Sequence, residues 1–167
     1  MAISFDTNHK PVIGEAEQLE YDLVVITADN ASPMTFTGTR TYVLGTENLI
    51  IIDPGPDSAA HLSSIMKYIG KRKVTDILLT HSHIDHSPLS RQLKTETGAR
   101  IIGFGSADEA RTTFMKKLSS SLDLGGEEGI DKDLLLDEKV YEKQILKLNN
   151  YRIEVVHTPG HLSNHIC

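Results

Sequence analysis

The stretch His81-Ser82-His83-Ile84-Asp85-His86 places three imidazoles and a carboxylate within six residues. An extended residue advances the chain by roughly 3.3 Å, so His81 and His83 can turn their rings towards one point while Asp85 and His86 reach a second point beside it. Neutral imidazole and carboxylate are the usual ligands of zinc, iron and manganese, and the stretch reads as a chelating loop. It follows Asp76-Ile77-Leu78-Leu79-Thr80, which reads as a buried strand, and Ser87-Pro88 opens a helical pattern after it. The ligands are therefore expected on a strand-to-helix loop at the carboxyl end of a strand, where open α/β sheets carry their sites.

A second run, His157-Thr158-Pro159-Gly160-His161-Leu162-Ser163-Asn164-His165, follows the alternating stretch Arg152-Ile153-Glu154-Val155-Val156. Pro159-Gly160 forces a turn directly after that strand. His161 is thereby thrown back towards the first loop, which makes it the candidate third ligand of the first point. His157 and His165 flank it and are assigned to packing or to the surroundings of the ligands. His9 and His61 read as ordinary packed or solvated histidines.

The rest of the chain supplies a scaffold. Residues 22–28 read as a strand after a polar leader over 1–20, and residues 29–36 as a loop near the mouth of the site. Strands over 41–44 and 48–53 pair as a hairpin across Gly45-Thr46-Glu47. Leu62, Ile65, Met66 and Ile69 recur at helical spacing between an Asp57-Ser58 cap and Gly70, so this helix covers one sheet face. Leu89 and Leu93 mark a shorter helix ended by Gly98, and residues 100–104 the next strand. Asn149-Asn150 joins two alternating strands as a tight hairpin. Between them, residues 106–137 open with a helix around 109–118 and become rich in Ser, Gly and acidic residues. That region reads as an insertion, either a lid over the site or a surface loop.

Both histidine runs, with Thr37-Gly38-Thr39-Arg40-Thr41-Tyr42-Val43-Leu44-Gly45 and Ile51-Ile52-Asp53-Pro54-Gly55 ahead of them in the same order, resemble the metallo-β-lactamase superfamily of metal-dependent hydrolases. The chain is most similar to its glyoxalase II-like branch, which includes the β-lactamase-like protein 2 group. That resemblance implies an α/β fold, the αβ/βα sandwich of the family, of which this chain covers about the N-terminal half as one incomplete domain over residues 1–167. It implies that His81, His83 and His161 hold one metal and that Asp85 and His86 hold a second, with Asp85 also orienting the hydroxide bound there. Asp53 would be an acid hydrogen-bonded to a ligand histidine, a role that fixes ring tautomer and orientation; a plain strand-end turn residue is the other reading. The implied cofactor is zinc, up to two ions in the full-length form, with iron and manganese also suited to the donors. The implied chemistry is hydrolysis of a thioester, lactone or related ester, the alternatives being a metal-dependent nuclease or a non-catalytic fragment with an incomplete metal site. Arg40, Ser87-Pro88 and Leu162 depart from residues frequent in the branch and bear on substrate preference. The acidic residue that bridges both metals in the family, and its last histidine, have no counterpart here.

Composition is consistent with part of a larger unit. A chain of 167 residues with 39% hydrophobic and 24% charged residues is ordinary for a globular domain. One sheet with its helices is expected, with an apolar sheet face left for a missing C-terminal half or another chain to cover. A net charge of −6 disfavours a nucleic acid and fits a small-molecule substrate. Lys71-Arg72-Lys73 and Lys116-Lys117 read as solvated faces. A single cysteine forms no internal disulfide, which fits the cytoplasm; residues 1–20 lack the apolar core of a signal peptide, and no run approaches the roughly 20 residues of a membrane span.

Overall fold

The computed structural model describes residues 8–121 and 129–167. Among these, β1 (Ala16–Glu20), β2 (Leu23–Thr27), β3 (Arg40–Leu44) and β4 (Asn48–Ile52) run as an antiparallel meander. The sheet continues through β5 (Lys73–Leu78), β6 (Arg100–Gly103) and β7 (Glu138–Lys139) as parallel strands, in the spatial order β1 to β7. Parallel strands need crossover connections and are covered on both faces. The two crossovers nearest the site are α1 (Ala59–Ile69) and α2 (Ser90–Thr97). Ser58 starts α1 by accepting a hydrogen bond from the His61 amide, and Gly70 and Gly98 end the two helices at φ of 59° and 73°, where a side chain would be strained.

These helices bury Ile65, Ile69, Leu89 and Leu93 against Val24, Val43, Leu49, Ile51 and Ile77 of the sheet. The opposite face carries Ile50, Ile102 and Val140, and there the expectation of a single sheet is corrected. Strands β8 (Ile145–Leu148) and β9 (Tyr151–Glu154) form a separate two-stranded sheet that lays Leu146, Leu148 and the following Val155 on that face. The alternation Leu146-Lys147-Leu148 gives the hairpin one apolar side, and the large sheet offers the surface that buries it. Coverage stops short of complete, leaving an apolar groove lined by Ile52, Leu78, Ile102, Val140, Leu146 and Ile166.

Two other expectations change. The polar leader over 1–20 contributes β1 from Ala16 onward; this edge strand is almost wholly exposed, so it needs no apolar alternation to pair with β2. Residues 1–7 lie outside the described residues. The helix around 109–118 is split into α3 (Ala107–Ala110) and α4 (Thr113–Ser121), because Arg111 is extended and the Thr112 hydroxyl accepts the Met115 amide as a new cap. Most of the Ser, Gly and acid-rich stretch, 122–128, is outside the described residues. No helix among those described is long and apolar enough to cross a membrane.

Candidate metal centre

Strands β4 and β5 lie side by side in parallel, with Ile52 opposite Leu78, so the residues following each strand meet. Asp53 follows β4 and adopts φ 50°, a left-handed conformation that is unfavourable for a residue with a side chain. Its amide donates to the Leu78 carbonyl at 3.0 Å. Its carboxylate accepts the Thr80 amide at 2.8 Å on Oδ1, and on Oδ2 accepts the Thr80 hydroxyl at 2.6 Å and His86 Nδ1 at 2.9 Å. The expected contact between Asp53 and a histidine of the first run is therefore present.

These bonds fix which ring nitrogens face the centre. Thr80 gives its only hydroxyl hydrogen to Asp53, so the 2.8 Å contact with His81 Nδ1 has the ring donating. His81 then keeps a bare lone pair on Nε2, which lies 3.1 Å from His83 Nδ1. One nitrogen from each of His81, His83 and His161 falls within 4.8 Å of the others, bringing together the three residues expected at the first point. Burial and the surrounding imidazoles, His86 and His83 foremost, push His81 down to about 2. Burial, then His161, also lowers His83. Neutral rings with inward lone pairs are the form that ligates a divalent ion.

At the second point His86 Nδ1 donates to Asp53, so Nε2 faces Asp85 Oδ2 at 3.2 Å. Asp85 Oδ2 also accepts the Thr39 hydroxyl at 2.9 Å, and Thr39 is held in turn by Asn30, whose Oδ1 accepts the Thr39 amide at 2.8 Å. The loop over 29–36 thus starts beside the site, as expected. Burial opposes charge on His86, but hydrogen bonds to Asp53 and Asp85 outweigh it and raise this ring to about 9. Burial likewise pushes the Asp85 carboxyl up, yet the bonds from His86 and Thr39 leave it well below the usual carboxylate range. A proton thus lies where a cation would bridge the pair. Asp53, His81 and His86 also offer atoms within 4.8 Å of one another; the Asp53 carboxylate is already engaged by three donors, so its role there is orientation.

Residues 34–167 match the family model described as the metallo-beta-lactamase superfamily. The chain belongs to that superfamily. It is 31% identical over 120 residues to the hydroxyacylglutathione hydrolase GloC of Haemophilus influenzae, covering 72% of this chain and 54% of that protein. It is 30% identical over 165 residues to the beta-lactamase-like protein 2 homolog of Drosophila melanogaster, covering 93% and 51%. A metallo-beta-lactamase of Cronobacter sakazakii superposes with a TM-score of 0.69 at 22% identity, over 94% of this chain and 57% of that one, which supports the fold. The chain spans about half the length of the curated relatives it matches.

Within this superfamily member, His157 is a packing residue: its ring stacks on Phe104 at 4.0 Å and an angle of 8°, and its Nε2 meets the Ser163 carbonyl at 2.8 Å. His165 takes the other of the two expected places, beside the ligands, with its ring 5.0 Å from that of His81 and Nδ1 2.7 Å from the Thr158 hydroxyl. Several supports escaped the sequence reading. Residues 129–131, read as part of a lid or surface loop, are stitched to the first run, where the Ile84 amide donates to the Gly129 carbonyl and the Asp131 amide to the Ser82 carbonyl. The buried Asp131 carboxylate accepts Ser87 Oγ at 2.8 Å and Arg91 Nη1 at 2.8 and 3.0 Å. Buried Asn164 ties the second run to the first through Ser82 Oγ at 3.0 Å. Thr80, a polar residue closing an apolar run just before the first histidine, was the one local signal; Asp131 stands 44 residues from Ser87 and has none.

Proposed function

We propose that this chain carries the metal-binding part of a hydrolase acting on a thioester, lactone or related ester, and that zinc is its metal. The observation that carries the reading is the convergence of His81, His83 and His161 on one point, with Asp85 and His86 paired at another. The donor chemistry fits a divalent ion: His81 Nε2, kept neutral, accepts from His83 Nδ1 at 3.1 Å, and loss of that one proton would leave both nitrogens free to ligate a cation. His81, His83 and His161 would hold one ion, and Asp85 and His86 would contribute to a second. Zinc, when bound, supplies a Lewis acid that polarises the substrate oxygen and makes water a nucleophile near neutral pH.

The chain's own residues prepare that chemistry. Thr80 and Asp53 hold His81 and His86 in the tautomers that turn Nε2 inward. His86, and after it Thr39, hold the Asp85 carboxylate ionised, and the Thr39 hydroxyl fixes the oxygen that meets His86 Nε2. The relative named as a hydroxyacylglutathione hydrolase, whose named substrate carries an acyl group on glutathione, supports the thioester end of the range. A small-molecule substrate agrees with the acidic balance of −6, and the single cysteine suits a cytoplasmic protein.

Metal analysis joined to hydrolysis assays on acyl-glutathiones, acyl lactones and RNA tests the proposal in the full-length protein. Asp85→Ala should remove turnover while leaving the circular dichroism unchanged. Turnover retained by that variant, or cleavage of RNA in preference to thioesters, overturns it.

A further inference from the structure

His61 reads from sequence as a packed histidine, and its position in the fold gives it more to do. It sits in the first turn of α1, only 3% exposed, with Nε2 2.8 Å from the hydroxyl of Thr41, which is fully buried on β3. That hydroxyl lies 2.8 Å from the Asp53 carbonyl oxygen. A hydroxyl has one hydrogen, and a carbonyl can only accept. Thr41 therefore donates to Asp53 and accepts from His61, which assigns His61 the Nε2–H tautomer. Its other nitrogen, Nδ1, is buried without a hydrogen-bond partner. The ring also fills the space under the Asp53-Pro54-Gly55 turn, since a Cβ on Gly55 would fall 2.9 Å from His61 Cδ2.

From this geometry we infer that His61 and Thr41 form a positioning relay that holds Asp53 left-handed and through its carboxylate orients His86. A left-handed residue with a side chain costs on the order of 1–3 kcal/mol and persists only where the surroundings fix it. At Asp53 the carboxylate is fixed by Thr80 and His86, but those are the groups it must orient. Two backbone restraints come from outside the site, the bond from the Asp53 amide to the Leu78 carbonyl and the bond from the Thr41 hydroxyl to the Asp53 carbonyl, and the second is the one a side chain supplies. Packing alone accounts poorly for the pair, because valine fills the volume of threonine and leaves no buried polar atom to satisfy, whereas here a buried imidazole is held with Nδ1 unpaired. His61 and Thr41 touch no reacting group and act through Asp53.

The inference leans on the proposed ligand role of His86, so its test has one readout that needs no metal. Ring nitrogen NMR of the unmodified, metal-free chain should show His61 as Nε2–H and His86 with a hydrogen-bonded Nδ1–H. An Nδ1–H tautomer on His61 overturns the relay, because Thr41 would then have to donate to the ring and could not donate to Asp53. Thr41→Val and His61→Leu should weaken the His86 Nδ1–H signal and lower zinc affinity about tenfold. Thr41→Ser and His61→Gln, which keep the donors, should restore both. Unchanged zinc affinity and an unchanged His86 signal in His61→Leu overturn the relay, whatever happens to its melting temperature. If the unmodified chain gives the expected tautomers yet binds no zinc, the metal reading fails and the relay stands.

Discussion

At the residue scale the site is governed by hydrogen bonds that leave each side chain a single way to point. Asp53 is the hub, since one carboxylate serves the Thr80 amide, the Thr80 hydroxyl and His86. Asp53→Ala should cost about 10- to 100-fold in zinc affinity, more at the Asp85–His86 point than at the three histidines, as cobalt absorption titrated at each point would show. His61 sets a separate pH dependence. Burial pushes it from 6.5 to about 4, so between these values the unfolded chain binds more protons than the folded one. Its contribution to stability is complete above about pH 6.5 and is lost as the pH falls to about 4, a change of about 3 kcal/mol. Urea unfolding at pH 7 and pH 4.5 should show that loss on top of the one from His81, which is lowered further still, and His61→Leu should reduce the total by the share of His61 while leaving the rest.

At the element scale, legibility in the sequence tracked how local each signal was. Helix α1 could be read end to end because its cap, its apolar stripe and its terminating glycine all lie within 13 residues, from Ser58 to Gly70. Ser58→Ala removes the cap and should lower stability by about 1 kcal/mol. Strand β1 was illegible because an exposed edge strand needs no apolar alternation, and the break between α3 and α4 rests on one threonine cap among residues that all tolerate helix. The β8–β9 hairpin was legible as a hairpin, but its being a second sheet was not. Alternation says that one side is apolar, and only the large sheet decides what that side meets. Asp131 marks the limit, being a buried acid in a stretch of acidic residues that look solvated. Arg91→Ala leaves this carboxylate with Ser87 and the Asp133 amide, and should destabilise by about 2 kcal/mol, below the range for a fully buried pair because Arg91 is itself 38% exposed. Thermal unfolding measures that cost. Zinc affinity should fall with it, because residues 129–131 brace His83 and Ile84.

At the scale of the whole molecule, the centre sits where two layers meet. The first run follows β5 of the large sheet, the second follows β9 of the small one, and the Ile166 amide donates to the Thr80 carbonyl to close the junction. Tyr151 of the small sheet donates to Asp22 beside β2 at 2.6 Å, a second tie between the two sheets. The small sheet nevertheless covers its partner only in part, leaving the groove between Ile52, Leu78, Ile102 and Leu146. Among the described residues the proposed second metal point pairs Asp85 with His86, the nearby Asp53 carboxylate being engaged by three donors, while the first gathers three histidines. Expressed as these 167 residues, the protein should therefore bind one zinc ion per chain at His81, His83 and His161, with the second ion held far more weakly, since two donors compete poorly with water for a divalent cation. With the second point short of donors, the same chain should hydrolyse thioesters poorly. Zinc titration beside a thioester hydrolysis assay decides it, and two tightly bound ions on an active chain would contradict both halves of the argument at once.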